Sequence, residues 1–274
     1  MKKKREIYKN GLLKKTLIKD SELIRYAVKG RQVDKHKVVL STHGEVAFFD
    51  KGVTTWKLDL ARKRVVGKVV LDTPHVVVDA EWNNTQQALE KGIRVVHGSG
   101  ANTFGGMGAL LVPDGFKIPV VTATAENVRH YGLQLIKNGE AFAVVSAQFQ
   151  IVMMRYDYTK DYKKDFLMRR YGGGGVFVET HDFPHVHVPL SESCGGYIVI
   201  GKRNSDGDYH FTAFVIPYGY ALYTPSNTIH GDGTLVGEYA LTVGDSAMVT
   251  ADTVLMYNKR TLAMARGVVP AWKP

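Results

Sequence analysis

Cysteine is almost missing from this 274-residue chain: Cys194 stands alone, so no intramolecular disulfide can form. That fits a reducing compartment and leads to an expected cytoplasmic location. Long apolar runs are missing as well. Nothing approaches the roughly 18 to 20 consecutive apolar residues of a membrane-spanning helix. The basic start, Met1 to Arg5, is followed by Lys9, Lys14, Lys15 and Lys19 instead of the apolar stretch of a signal peptide. No Gly-x-Ser-x-Gly elbow is present. The glycine-rich run His97 to Gly108 carries Thr103 where the dinucleotide fingerprint needs its third glycine, and it lacks the Gly-Lys-Ser or Gly-Lys-Thr of a phosphate loop. These gaps exclude a disulfide scaffold, a helical membrane protein and the commonest nucleotide-binding loops.

Charge is present but unevenly spread. Residues 1–38 hold 13 Lys or Arg against 4 Asp or Glu, which accounts for +9 of the net +10. Within that arm Leu13, Leu17, Ile24, Ala27 and Val28 recur at near-helical spacing, which predicts a short basic helical arm over 1–38. Its face suits an acidic partner. Nucleic acid is not expected, because no zinc-finger, RRM or KH signature accompanies it.

After the arm, short segments rich in Val, Ile, Phe and Thr alternate with Gly, Pro, Asn and Asp, a pattern that reads as all-β. We divide the remainder into a β-rich domain at 39–154, a charged linker at 155–171 and a second β domain at 172–274. Asn83 to Val95 is the one helical candidate between the first strands.

The chemistry concentrates in the last of these. His185 and His187 are separated by one residue, so on a strand they share a face and offer two imidazoles to one ion. Pro189 interrupts the strand, Glu192 follows, and His230 opens a strand after the turn Pro225-Ser226-Asn227. Three imidazoles and a carboxylate suit a divalent transition metal ion, with iron, manganese, zinc and nickel all compatible.

The arrangement resembles the two signature motifs of the cupin superfamily. His185, His187 and Glu192 fall at the metal positions of the first motif, and Gly219, Pro225 and His230 keep the spacing of the second. There are departures. Glu179 replaces the leading glycine, Gly201 is a displaced trailing glycine, Thr234 stands where asparagine is usual, and Asn227 takes the place of the turn glycine. Asn tolerates the left-handed backbone that this turn requires. The resemblance spans about 172–258 and implies a double-stranded β-helix barrel. It also implies a two-cupin arrangement in which the first unit, having no His-x-His, is degenerate; a single barrel with a β extension is the competing arrangement. Association of copies into a homo-oligomer is a further expectation from the family.

Strand parity around the implied ligands nominates neighbours. Phe183, His181 and Glu179 share the parity of His185, and Asp232 shares that of His230. His181 and Asp232 are candidate proton-transfer groups, Tyr220 is a candidate hydrogen-bond donor, and Lys202 is a candidate anchor for an anionic substrate. The resemblance and these residues together lead to an expected metal-dependent enzyme acting on a small polar or anionic oxygenated substrate, by isomerase- or epimerase-type proton transfer. The alternatives are an iron or manganese dioxygenase or decarboxylase, and a non-catalytic metal-stabilised binding or sensing protein.

Overall fold

The computed structural model describes residues 24–30, 32–60, 75–95, 106–167, 176–244, 248–265 and 267–268. Its fold class is all-β. One 15-stranded sheet dominates, accompanied by a two-stranded ribbon. No ring of strand pairings closes among the described residues. Nor is any described helix long and apolar enough to cross a membrane.

The N-terminal strands come first: β1 (Ile24–Lys29) and β2 (Gln32–Phe49) pair antiparallel, with Val28 opposite Val33 and Lys29 opposite Gln32. This corrects part of the expected helical arm. The described residues from Ile24 onward are mostly strand, because the branched residues Ile24, Val28, Val33 and Val38 find cross-strand partners, and that pairing overrides a weak helical periodicity. Residues 1–23 lie outside the described residues.

Then follow the ribbon strand β3 (Gly52–Lys57), β4 (Val76–Val78), β5 (Glu81–Asn83) and helix α1 (Thr85–Glu90). The helix falls within the expected Asn83 to Val95, and an Asn84–Gln87 capping box starts it. Next are β6 (Gly108–Val112), β7 (Val120–Thr122), β8 (Gln134–Lys137), the second ribbon strand β9 (Ala141–Ser146) and β10 (Ile151–Tyr158). Residues 155–158, where a linker is expected, complete β10. The site-bearing part contains β11 (Phe177–His181), β12 (His185–Pro189), β13 (Gly195–Arg203), β14 (Tyr209–Val215), β15 (Tyr220–Thr224), β16 (Ile229–Val243) and β17 (Ala251–Asn258).

β16 joins two halves of the sheet. Its first part pairs with β13 and touches β11, and its second part pairs with β10 and β12. The change of partners occurs at Gly237, whose φ of 98° few other residues adopt. Strands on both sides of the expected 155–171 junction share this sheet: β4 pairs with β14, β6 lies parallel to β17, and β8 extends β15.

Burial follows from this layering. The inward faces of the two halves meet in one core, with Leu40, Met154 and Tyr156 from one side and Phe177, Ile198 and Leu255 from the other. The β3–β9 ribbon covers the outside of β12, where Val186 and Val188 join Phe142 and Val144. Both faces of β12 are therefore buried, and its alternation places His185 and His187 toward the interior. Phe177, Glu179 and His181 point inward from β11 by the same period, while Val178 joins an outer core with Met256.

Candidate metal centre

Glu179, His181, His185 and His230 each contribute one ligand-type atom to a group whose members all lie within 4.8 Å of one another. The cluster can hold a metal ion. His230 sits opposite Glu179 in the β11–β16 pairing, with Nε2 3.8 Å from Oε1. That approach depends on Gly231, where an added Cβ would lie 2.2 Å from the Phe177 carbonyl oxygen. The turn before His230 holds Asn227 at a φ of 63°, the left-handed conformation expected of it.

The three imidazole rings stand nearly perpendicular to one another. His181 and His185 have centroids 4.5 Å apart at 89°, His181 and His230 4.7 Å at 79°, and His185 and His230 4.7 Å at 86°. Each ring is fixed by a hydrogen bond at Nδ1. His181 Nδ1 donates to the Phe183 carbonyl at 2.8 Å, and His230 Nδ1 donates to the Thr228 carbonyl at 2.9 Å. Thr242 gives its hydroxyl proton to the Pro184 carbonyl at 2.9 Å, leaving Oγ1 as an acceptor for His185 Nδ1 at 3.2 Å.

Those acceptors fix the tautomer, because a neutral imidazole that is protonated on Nδ1 carries its lone pair on Nε2. Burial keeps the His181 and His185 rings neutral: His181 is pushed down to about 3, and His185 well below its usual range by burial and by its histidine neighbours. The Nε2 atoms of the three rings converge. His181 Nε2 and His185 Nε2 face each other at 2.9 Å, and His230 Nε2 is buried with no hydrogen-bond partner. Facing lone pairs repel unless a cation lies between them. A nitrogen-to-metal bond is about 2.0–2.1 Å, so two such nitrogens at a right angle would be separated by about 2.9 Å, as here. Burial also pushes the Glu179 carboxyl up, with His230 opposing the shift, and Thr253 Oγ1 donates to Glu179 Oε2 at 3.0 Å. The donor set fits a transition ion.

The other expected site residues occupy several environments. His187 lies on the same strand face as His185, with ring centroids 5.0 Å apart, but is outside the four-residue group; it is fully buried and neither ring nitrogen has a hydrogen-bond partner. Glu192 is exposed in the turn after β12, which Pro189 ends and a Cys194 N–H to Ser191 carbonyl bond tightens. The carboxylate of the group is Glu179, the residue standing in place of the motif's leading glycine. Strand parity places it on the face of His181, its neighbour on β11; the motif spacing directs attention to Glu192.

A cavity of about 250 Å³ adjoins the cluster, and Glu179, His181, His185 and Asp232 line it. Asp232 accepts the Tyr158 hydroxyl at 2.6 Å. Burial and that carboxylate push the Tyr158 phenol well above its ordinary value, so it remains a donor. Tyr220 and Lys202 do not line this cavity. Lys202 borders a different depression together with Trp82 and Arg203, and its Nζ donates to the His130 carbonyl at 2.9 Å. Arg25, which no motif singles out, is a cavity residue. Elsewhere His75, His130 and His210 form a second, partly exposed group of stacked rings.

Comparison of the chain with family models, curated proteins and solved structures finds no match.

Proposed function

We propose that this chain is a metal-dependent enzyme of the cupin type that moves a proton on a small oxygenated substrate, as an isomerase or epimerase does. The observation that carries the reading is the convergence of three imidazole Nε2 atoms and a carboxylate beside a cavity of about 250 Å³. Glu179, His181, His185 and His230 would hold one divalent transition ion, with iron, manganese, zinc and nickel all suited to a nitrogen-rich set containing one carboxylate. When bound, such an ion polarises substrate oxygen and makes a neighbouring C–H or O–H more acidic.

The protein's own groups do the rest. Asp232 faces the cavity two residues along the strand from His230 and is oriented by the Tyr158 hydroxyl, so it is placed to take a proton from the substrate and return it. A proton removed from one carbon and returned to its opposite face, or to the adjacent carbon, gives epimerisation or isomerisation with no external oxidant. Phe183, Leu241 and Val249 supply apolar wall that limits water around the reacting atoms.

The test joins metal analysis to solvent exchange. Purified protein should hold about one transition ion per chain and wash deuterium from heavy water into a turned-over hydroxy or oxo substrate, while Asp232→Asn keeps the ion and loses the exchange. Oxygen consumption coupled to turnover would replace this reading with the oxidative one, which the same ligands also serve. An Asp232→Asn protein exchanging at the wild-type rate would remove Asp232 from the mechanism.

A further inference from the structure

The second histidine group is built differently from the metal cluster. His75 immediately precedes β4, His130 lies in a single 3₁₀ turn (Arg129–Tyr131), and His210 is on β14, where Val77 of β4 and Lys202 of β13 are its cross-strand neighbours. The His130 and His210 rings are parallel within 8°, and their facing nitrogens, Nε2 and Nδ1, are 3.1 Å apart, so the two rings meet edge to edge in one hydrogen bond. His75 stacks on both, with centroids 4.5 Å apart in each case. The ligand-type atoms of the three are close enough for a metal, within 4.8 Å, but an imidazole offers its lone pair in its own ring plane, and parallel planes stacked on one another share no point for an ion. Hydrogen bonding accounts for the group better. Asn204 Nδ2 donates to His210 Nε2 at 2.6 Å, so His210 carries its proton on Nδ1 and gives it to His130 Nε2. Both acceptor nitrogens of the pair are then occupied. A further proton must displace one of these two hydrogen bonds.

We propose that the His75–His130–His210 group is an acid-sensitive latch: protons entering the His130–His210 pair break its hydrogen bond, remove the platform on which His75 stacks and release β4 from β14. β4 is suited to such control, being three residues long with β14 as its one sheet neighbour among the described strands. Short, singly paired segments open most readily. Burial, Lys202 and His75 oppose a charge on either ring, and the Lys202 Nζ is held beside the pair by donating to the His130 carbonyl at 2.9 Å. Asp206 and Asp208, before β14, favour a charge on His210, and Tyr131, edge-on to His130, remains a neutral phenol bonded to Thr212. The net result is a His130 ring pushed down to about 4, burial being the first cause, and a His210 ring lowered in the same direction. A ring held below its ordinary 6.5 in the closed latch regains that value on opening, so the open form gains as pH falls through 6.5 toward about 4. Relief of the His130 shift alone corresponds to about 30-fold more opening at pH 5.0 than at 7.5, which solvent screening of these partly exposed rings reduces to about tenfold. Opening ends at β5, where Trp82 Nε1 donates to Asp252 Oδ2 at 2.7 Å.

Amide exchange of the full chain at pH 7.5 and 5.0, corrected for the intrinsic effect of pH, tests the latch. On acidification, protection of the β4 amides should fall about tenfold more than that of β5 and β6. Comparison with β6 separates local release from the general acid destabilisation expected of the buried histidines at the metal cluster. His130→Gln should abolish the difference, because a Gln carbonyl accepts from His210 whether or not that ring is charged. In wild-type protein the ring nitrogens of His130 and His210, followed by NMR, should titrate below 6.5 and lose the coupling across their hydrogen bond as they do so, a readout that needs no variant to fold. Unchanged β4 protection, equal loss in β4 and β6, a folded His130→Gln protein with the wild-type response, or a His130–His210 bond that survives titration of both rings would each overturn the latch. So would a second zinc ion per chain at pH 7.5 that His130→Gln removes, which would make the group a metal centre.

Discussion

Removing His185 tests the metal centre most directly, because its Nε2 faces that of His181 at 2.9 Å with nothing but repulsion between the lone pairs until a cation arrives. A ligand that binds only the folded state stabilises it by about 4.1 kcal/mol at a thousand times its dissociation constant. For chains of roughly 150–250 residues, 1 kcal/mol shifts the melting temperature by about 2–4 °C. With 274 residues, the wild-type protein should therefore melt on the order of 10 °C higher when saturated. Loss of even an outer partner of a metal ligand weakens affinity by about 10–100-fold, and loss of His185 removes a ligand itself. A hundredfold weaker site at the same ion concentration retains only about 1.4 kcal/mol of stabilisation, which is a shift of about 3 °C. The assay is a melting curve of wild type and His185→Ala, each with chelator and with zinc, manganese, nickel or iron(II). The variant's intrinsic stability is not the readout; its response to the ion is. Glu192→Gln is the control and should respond like wild type, since Glu192 sits in an exposed turn outside the cluster. A wild-type protein indifferent to all four ions, or a His185→Ala protein with an undiminished response, would refute the reasoning.

Three other outcomes follow from the same geometry. His187→Leu replaces a fully buried imidazole whose two nitrogens lack hydrogen-bond partners. An unsatisfied buried polar group costs about 1–3 kcal/mol, so the variant should unfold at higher urea with its metal content intact; loss of the ion would instead make His187 a ligand, as the cupin spacing implies. Gly231→Ala puts a Cβ 2.2 Å from the Phe177 carbonyl oxygen. The two strands must separate, so calorimetry should record weaker metal binding as His230 withdraws from Glu179, together with the roughly 1–3 kcal/mol cost of overpacking; wild-type affinity would show that the strands need not meet so closely. Acid should destabilise the metal-free protein. His181, His185 and His187 are held below 6.5 in the fold chiefly by burial, so the unfolded chain takes up protons that the native state refuses. Stability is then greatest above that value and falls as pH drops through 6.5, continuing toward about 3 for His181. Each histidine contributes roughly 1.4 kcal/mol between pH 7.5 and 5.5, or about 4 kcal/mol for the three; equal urea midpoints at those two pH values would contradict this.

Local regularities were legible in the sequence, and distant pairings were not. The strand period put Glu179 with His181 on one strand and Asp232 with His230 on another, and these residues share the cluster or its cavity; the bend at 182–184, which brings β11 to β12, lies outside any strand period. The left-handed turn at Asn227 was equally readable, because few side chains tolerate that backbone. Glu192 shows where a spacing pattern stops being informative. A motif counts residues, but whether a carboxylate five positions after a histidine returns to it depends on the path between them, and here Pro189 ends the strand and the next turn faces solvent. Arg25 was hidden for a related reason. Counted among the 13 Lys or Arg of the first 38 residues, it looks like one more solvated charge, and its burial arises only when Tyr158 and Tyr162, more than a hundred positions away, come to stand beside it.

That concealment bears on how the site is assembled. The cluster draws its ligands from three neighbouring strands of the C-terminal part, β11, β12 and β16, while the opposite pole of its cavity comes from β1 at the beginning of the described chain. Among the described residues β1 is an edge strand whose one sheet neighbour is β2, which in turn docks on β10. Edge strands separate more easily than central ones because only one side of their backbone is paired. The metal-binding pole therefore sits in the most connected part of the sheet, and Arg25 in one of the least connected parts among the described strands. An ion should stay bound through fluctuations that release β1, so adding zinc should slow amide exchange in β16 more than in β1 and β2; equal slowing in all three would contradict this.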